Sequence, residues 1–344
     1  MDERILITGS GSIVASHVIR HLVALPAVAG IVGVDPVGHH PYLPSLGKDI
    51  PVFPLDIRDE AGLTRVMRQH RVTGVFHVAA VLGPWHNDNP LGSIDVNLGG
   101  SMNVLEAAHL SGVNRVVFAS TKSVYDGLAE SSDFLTEEQV LPTRPYTIGK
   151  VAAELMGRQM AAAGVMEFAA LRFADFLCSE FCQRDTYLRA GAAFTLSKAI
   201  VAGRYGAPVR IRASADALTD PFYAGDLGLL VSRLIVKERL SHTAYNVGAG
   251  APGISYRDAI GILADRYRED CYTFEDTGEC VYRPGLDTTR ISAETGSSAD
   301  HLPDFLDRME ADIDAARSEG LLPETPGRWI EQREAVELLS GEPR

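Results

Sequence analysis

The chain has no apolar run near the ~18 to 20 residues that a membrane span needs, so no transmembrane segment is expected. It also lacks an excess of basic residues: the net charge is −13. A general affinity for nucleic acid or anionic lipid would need a basic face, and neither partner is expected. Cysteines are few, four in 344 residues, and Cys178, Cys182, Cys271 and Cys280 lack the paired Cys-x-x-Cys spacing of zinc sites. They read as ordinary thiols, and no metal is expected. Internal repeats, low-complexity tracts and coiled-coil heptads are absent, which leaves solenoids and fibres out. The opening "MDERILITG" is acidic and runs straight into a strand, so it does not read as a secretory signal and a cytoplasmic location is expected.

What remains is a chain long enough for more than one lobe, because single cores rarely grow much beyond ~250 to 300 residues. Its first half alternates short apolar strands ("RILITG", "GIVGVD", "IPVFPLD", "GVFHVAA", "RVVFAS", "EFAALRF") with helical stretches. Strands apolar on both faces and separated by helices imply a parallel sheet covered on both sides. The expected class is α/β, a doubly wound parallel (Rossmann) sheet over residues 1–175, completed by about 220–250. There "DPFYAGDLGLLVSRLIV" and "AYNVGAG" read as a return to the main sheet. Residues 176–219 and 251–344 form a smaller C-terminal lobe, and the acidic stretch "FLDRMEADIDAARSEG" reads as a solvated helix.

The first strand ends in "TGSGSIVASH". Gly9 and Gly11 let the backbone approach a pyrophosphate, whose charge then sits at the helix N-terminus formed by Ser12 and Ile13. The second strand ends in Asp35, an acceptor for adenosine ribose hydroxyls that repels a 2′-phosphate. With Pro36, Val37 and Gly38 following, no nearby cation invites that phosphate, and the expected cofactor is NAD rather than NADP. Asp56, after the third strand, could reach the adenine edge or cap the following helix.

In "RPYTIGK", Pro145 suits a first helical position and Gly164 offers a stop. Tyr146 and Lys150 share a face of that helix. An ammonium within a few ångströms lowers a phenol's pKa, so the pair could be a tuned proton relay, although the same spacing also occurs on plain solvated helices.

Together "TGSGSIVASH", Asp35, Asp56-Ile57, "VFHVAA", "VNLGGSMNVLEAA", "VVFASTKSVYDG", "PYTIGKVAAE", "DPFYAGDLG", "YNVGAG" and "YRPGLD" resemble the extended short-chain dehydrogenase/reductase family, also called the NAD-dependent epimerase/dehydratase family, over nearly the whole chain. The resemblance implies an NAD-dependent dehydrogenase or epimerase whose C-terminal lobe binds substrate. It makes Tyr146 the acid/base, Lys150 the group that lowers its pKa and holds the nicotinamide ribose, and Thr121 the hydroxyl that bonds the reacting oxygen. Gly9, Gly11, Ser12, Ile13, Asp35, Asp56, Ile57, Ala79, Ala80, Asn97, Tyr146 and Lys150 would line the cofactor. His77 reads as a satisfied strand histidine rather than a catalytic one. A homodimer through the two long helices is implied by resemblance alone.

Departures from the family pattern bear on the substrate. Ser12 and Ala15 stand at two of the usual glycines. Asp175 and Thr219 stand where nucleotide-sugar enzymes of the family carry an asparagine and an arginine. A carboxylate facing a diphosphate is repelled, which tilts the expectation toward a sugar or polyol that is not nucleotide-linked. A nucleotide-sugar epimerase with a rewired phosphate clamp stays open, with Arg283, Arg210, Arg212 or Arg290 as compensating cations. So does a non-catalytic NAD-responsive binding protein. The loop "LCSE" also departs from the family. Trp85, His86, Asn87 and Asp88 occupy another loop that could face substrate. Lys122, Arg184 and Arg189 could bind substrate, although lone basic loop residues mostly read as solvated. No Asp-Glu pair follows Thr121 in "STKS", which argues against sugar 4,6-dehydration.

Overall fold

The computed structural model describes residues 2–37, 50–81, 89–128, 134–179, 195–250, 252–275, 285–297 and 299–320. Trp85, His86, Asn87, Asp88, Arg184, Arg189, Arg283, Cys182 and Cys280 lie outside the described residues.

In chain order the strands up to residue 247 are β1 (Glu3–Thr8), β2 (Val28–Val34), β3 (Val52–Phe53), β4 (Gly74–His77), β5 (Arg115–Ala119), β6 (Phe134–Leu135), β7 (Glu167–Phe173), β8 (Asp175–Leu177), β9 (Val209–Ile211), β10 (Leu218–Thr219), β11 (Pro221–Tyr223) and β12 (Ala244–Val247) among the described residues. Seven of them form one sheet in the order β12-β7-β5-β4-β1-β2-β3. Every pairing in that sheet is parallel. The doubly wound arrangement expected from alternating apolar strands and helices is therefore present.

Side-chain alternation decides which core each strand feeds. Ile5 and Ile7 of β1 pack with the helices Ile13–Leu22 and Ala224–Val236 on one face. Leu6 points to the other face, toward the helices Glu60–Gln69, Ser101–Leu110 and Pro145–Ala162. The last of these begins at Pro145 as expected, and the chain turns at Gly164 with φ +69°. Gly157 lets the helix lie directly on Phe168 of β7, because a Cβ there would fall 2.3 Å from the ring.

Two expectations need correcting. The "DPFY" segment does not enter the main sheet; its last three residues, β11, pair in parallel with β8 beyond the end of β7. β12 joins the main sheet beside β7, and the helix Ala224–Val236 packs on its face together with Leu286, Ile291 and Ala299. The acidic helix, Leu302–Ser318, is not merely solvated: Leu302, Phe305, Leu306, Met309 and Ile313 supply one wall of a second core. Their spacing is the apolar stripe of an amphipathic helix, which the many carboxylates on its outer face disguise.

Candidate active site

The glycine turn sits between β1 and the helix Ile13–Leu22. Gly9 adopts φ +64°, and a Cβ on it would meet the backbone of Ala79 at 2.8 Å. Only glycine allows this approach of the first turn to the end of β4. Ser12 caps the helix, accepting from Ala15 N–H at 3.2 Å, so the serine in a usual glycine position has a structural use. Ile13 is buried behind it. Asp35, half-buried at the end of β2, accepts from Gly11 N–H (2.9 Å) and from Val37 N–H (3.0 Å).

Asp56 does not cap the next helix, because that position belongs to Asp59, which accepts from Gly62 N–H at 2.9 Å. The Asp56 carboxylate instead holds Arg58, whose guanidinium keeps it below the usual carboxylate range. Ile57 is buried against Gly100, where a Cβ would fall 2.5 Å from its side chain.

The helical segment that carries "VNLGGSMNVLEAA" contains a π-helical stretch, Asp95–Gly100, between the α-helices Pro90–Ile94 and Ser101–Leu110. Such a stretch re-aims the side chains it carries. Asn97 lies in it, accepting from Val81 N–H (2.9 Å) and donating to Val81 O (3.1 Å). Ala79 and Ala80 precede that clasp. Gly149, next to Lys150, faces Asn97 across the helix crossing, so the Tyr/Lys helix rests on the π-helical stretch.

Tyr146 shares a side-chain hydrogen bond with Thr121, at the end of β5. Burial pushes its phenol above the ordinary tyrosine value, and the Thr121 bond and Arg144 only partly oppose this. The implied lowering by Lys150 is therefore not the prevailing effect here. Lys150 is fully buried, donates to Ala119 O at 2.7 Å, and lies over the rings of Phe118 (4.6 Å) and Tyr146 (5.8 Å). Burial lowers its pKa to about 7, with Glu154 opposing.

Glu154, four residues past Lys150, was not among the expected site residues. It is buried, accepts from Arg172 at 2.6 to 3.2 Å and also takes the Ser120 hydroxyl. The signal was available: Tyr146, Lys150 and Glu154 recur every four residues on one helical face.

Lys122 is not a solvated loop residue. It is buried and ion-paired with Asp175, the first residue of β8. Thr219 donates its hydroxyl to the same Asp175 oxygen at 2.8 Å. Asp220 is buried beside them and accepts from Ala249 N–H (2.9 Å) and Leu286 N–H (3.2 Å). Burial raises its pKa while Lys122 and the two N–H groups hold it down. The expected repulsion from a bare Asp175 carboxylate is thus corrected, because Lys122 offsets its charge. Arg290 and Arg212 are engaged with Glu138 and Glu275 respectively. Arg210 lies exposed on β9. Among the described residues no cluster of three metal-ligating side chains occurs, and no helix is long and apolar enough to cross a membrane.

A glycine cradle at a helix N-terminus, a strand-end carboxylate and a hydroxyl–phenol–ammonium set, all beyond the C-terminal ends of strands in a parallel sheet, define a dinucleotide-binding enzyme. The NAD-dependent epimerase/dehydratase family pattern matches residues 5–248, and the chain belongs to that family. The UDP-glucose 4-epimerase of Azospirillum brasilense is 32% identical over 177 residues, covering 50% of this chain and 49% of that one. A UDP-N-acetyl-alpha-D-glucosaminuronate decarboxylase of Bacillus cytotoxicus is 36% identical over 126 residues, 36% of this chain and 38% of the relative. The matches thus span about half or less of these curated relatives. The UDP-glucose 4-epimerase of Thermotoga maritima, solved with UDP-glucose, shares the fold with a TM-score of 0.76 at 23% identity, over 91% of this chain and 99% of that one.

The residues fit NAD, the family's cofactor. The Gly9–Ser12 turn brings side-chain-free backbone to the N-terminus of a helix, Asp35 keeps acceptor lone pairs beyond its two backbone N–H contacts with no cation paired to it among the described residues, and Lys150 has donors left beyond its bond to Ala119.

Proposed function

We propose that this enzyme moves a hydride at a secondary alcohol or ketone of a hydroxyl-rich, sugar-like substrate, with net dehydrogenation or epimerisation as the outcome. The observation that carries this reading is the contact of Tyr146 with Thr121 beside the buried Lys150 ammonium. Thr121 both donates and accepts, so it can hold the reacting oxygen while Tyr146 exchanges a proton with it. Lys150 holds the ribose side of the cofactor and stabilises a phenolate as it forms. NAD, when bound, supplies the hydride acceptor. Gly9, Gly11, Ser12, Ile13, Asp35, Asp56, Ile57, Ala79, Ala80 and Asn97 shape its site, and Lys122 and Asp175 face substrate.

A second reading, a nucleotide-sugar epimerase, gains support from the neutralised Asp175 and from relatives named as UDP-glucose 4-epimerases. Thermal unfolding with saturating NAD, with and without UDP, dTDP and GDP, separates the two. A ligand at ~100 times its Kd adds ~2.7 kcal/mol, so a further rise with one nucleotide selects the second reading. No further rise selects a free sugar, sugar acid or polyol. Wild-type enzyme is then assayed by NADH absorbance and by NMR of the sugar product. Failure of every hydroxylated substrate to react would sink the reading.

For assembly, Ile148, Leu155 and Met156 leave an apolar stripe exposed on the Pro145–Ala162 helix, as a homodimer interface would require. Light scattering of the eluted protein gives the mass directly: a dimer supports the reading, and a monomer at micromolar concentration contradicts it.

A further inference from the structure

His77 lies fully buried at the end of β4, and both its ring nitrogens are engaged: Nδ1 with Thr8 Oγ1 at 2.7 Å and Nε2 with Ser101 Oγ at 2.9 Å. The direction of each proton follows from groups that can act in only one way. Ser101 Oγ lies 2.5 Å from Asn97 O, and a carbonyl only accepts, so the serine proton goes there. Ser101 Oγ must then accept from His77, which fixes the ring proton on Nε2. The bare Nδ1 takes the Thr8 hydroxyl proton, and Thr8 Oγ1 in turn accepts from Ala79 N–H at 3.3 Å.

The result is a closed ring of contacts around the three residues 79–81. Ala79 is held by Thr8 and Val81 by both ends of the Asn97 amide. Thr8 and Asn97 are themselves joined through His77 and Ser101. The same Ala79 is the backbone against which the Gly9 turn closes.

The geometry points to His77 as a positioning residue for NAD: as an Nε2–H tautomer it locks the Ala79–Val81 strip and the π-helical carbonyl of Asn97 into one cofactor-shaping unit. It touches no reacting atom. A second ring proton would point at Thr8 Oγ1 and turn the Thr8 hydroxyl proton away, leaving it without this partner. Burial, with the Lys150 ammonium as the charged neighbour, accordingly keeps the imidazole neutral, its pKa lowered to about 3.

The test uses the full chain with NAD alone. In calorimetric titrations Thr8→Val and Ser101→Ala should each weaken NAD by about five- to thirtyfold, and the double variant should lose little more than the worse single one. His77→Gln, which keeps a donor and an acceptor, should bind better than His77→Leu. Folded single variants that bind NAD within twofold of wild type, or losses that simply multiply in the double, would overturn the proposal. Nitrogen-correlated NMR of wild type gives an answer independent of any variant: a neutral Nε2–H ring between about pH 5 and 8 supports it, and an Nδ1–H or doubly protonated ring refutes it.

Discussion

At the cofactor end, Gly9, Thr8, His77, Ser101 and Asn97 meet through backbone groups and neutral hydrogen bonds. At the end proposed to face substrate, Lys122, Asp175 and Asp220 are buried ionisable groups, with Lys122 next to Thr121 in the chain. The difference is one of tolerance. A buried neutral bond that is lost costs about 1 to 3 kcal/mol, whereas a buried charge that loses its partner stays uncompensated at about 3 to 5 kcal/mol. The cofactor end is therefore limited by shape and the substrate end by charge balance.

Breaking the charge balance should have the largest effect on stability. Lys122→Met removes the buried ammonium that offsets the Asp175 and Asp220 carboxylates, and should cost roughly 3 to 5 kcal/mol in urea unfolding. Adding Asp175→Asn to that variant should recover at least half. A single substitution costing under ~1 kcal/mol would place the pair in effective contact with water, and the contrast between the two ends would fail.

Lys150 links the two ends, and its charge can be tuned by pH. Its folded value of about 7 lies below the ordinary 10.5, so between these the unfolded chain keeps a proton that the folded chain has released. Stability rises with pH over that window: the contribution is fully present above the ordinary value and is lost as the pH falls through about 7. Between pH 7 and about 9.5 wild type should gain roughly 3 kcal/mol relative to Lys150→Met. Identical pH dependence in the two proteins would show that the ammonium is not desolvated.

Shape at the cofactor end is probed by Gly9→Ala. The new Cβ meets backbone rather than a movable side chain, at a positive φ. About 2 kcal/mol of stability should be lost, together with most NAD affinity. Calorimetry showing wild-type NAD binding would mean that the turn does not cradle the cofactor.

The same contrast governs what could be read from the sequence. Gly9, Asp35, Pro145 and the Tyr146/Lys150 spacing depend on a local turn, a strand end or a helical face, and such features are written in adjacent residues. Asp175 is different. Its partner Lys122 is 53 residues away, so its charge looked unopposed until the strands brought the two together. The ring through His77 was hidden for the same reason: Thr8, His77 and Ser101 are ordinary residues whose roles appear only where β1, β4 and the π-helical stretch converge. The short β11 misled because three apolar residues suit any sheet edge, and only its neighbour β8 decided which.

The central claim is that Tyr146 moves the proton while the rest of the site holds NAD, and Tyr146→Phe tests it most directly, with NAD affinity and turnover measured on the same preparation. Removing one hydroxyl should lower turnover by about 10² to 10⁴, the range of general acid–base catalysis, and leave the NAD dissociation constant within about threefold of wild type. Turnover unchanged by the loss of the phenol would contradict the account.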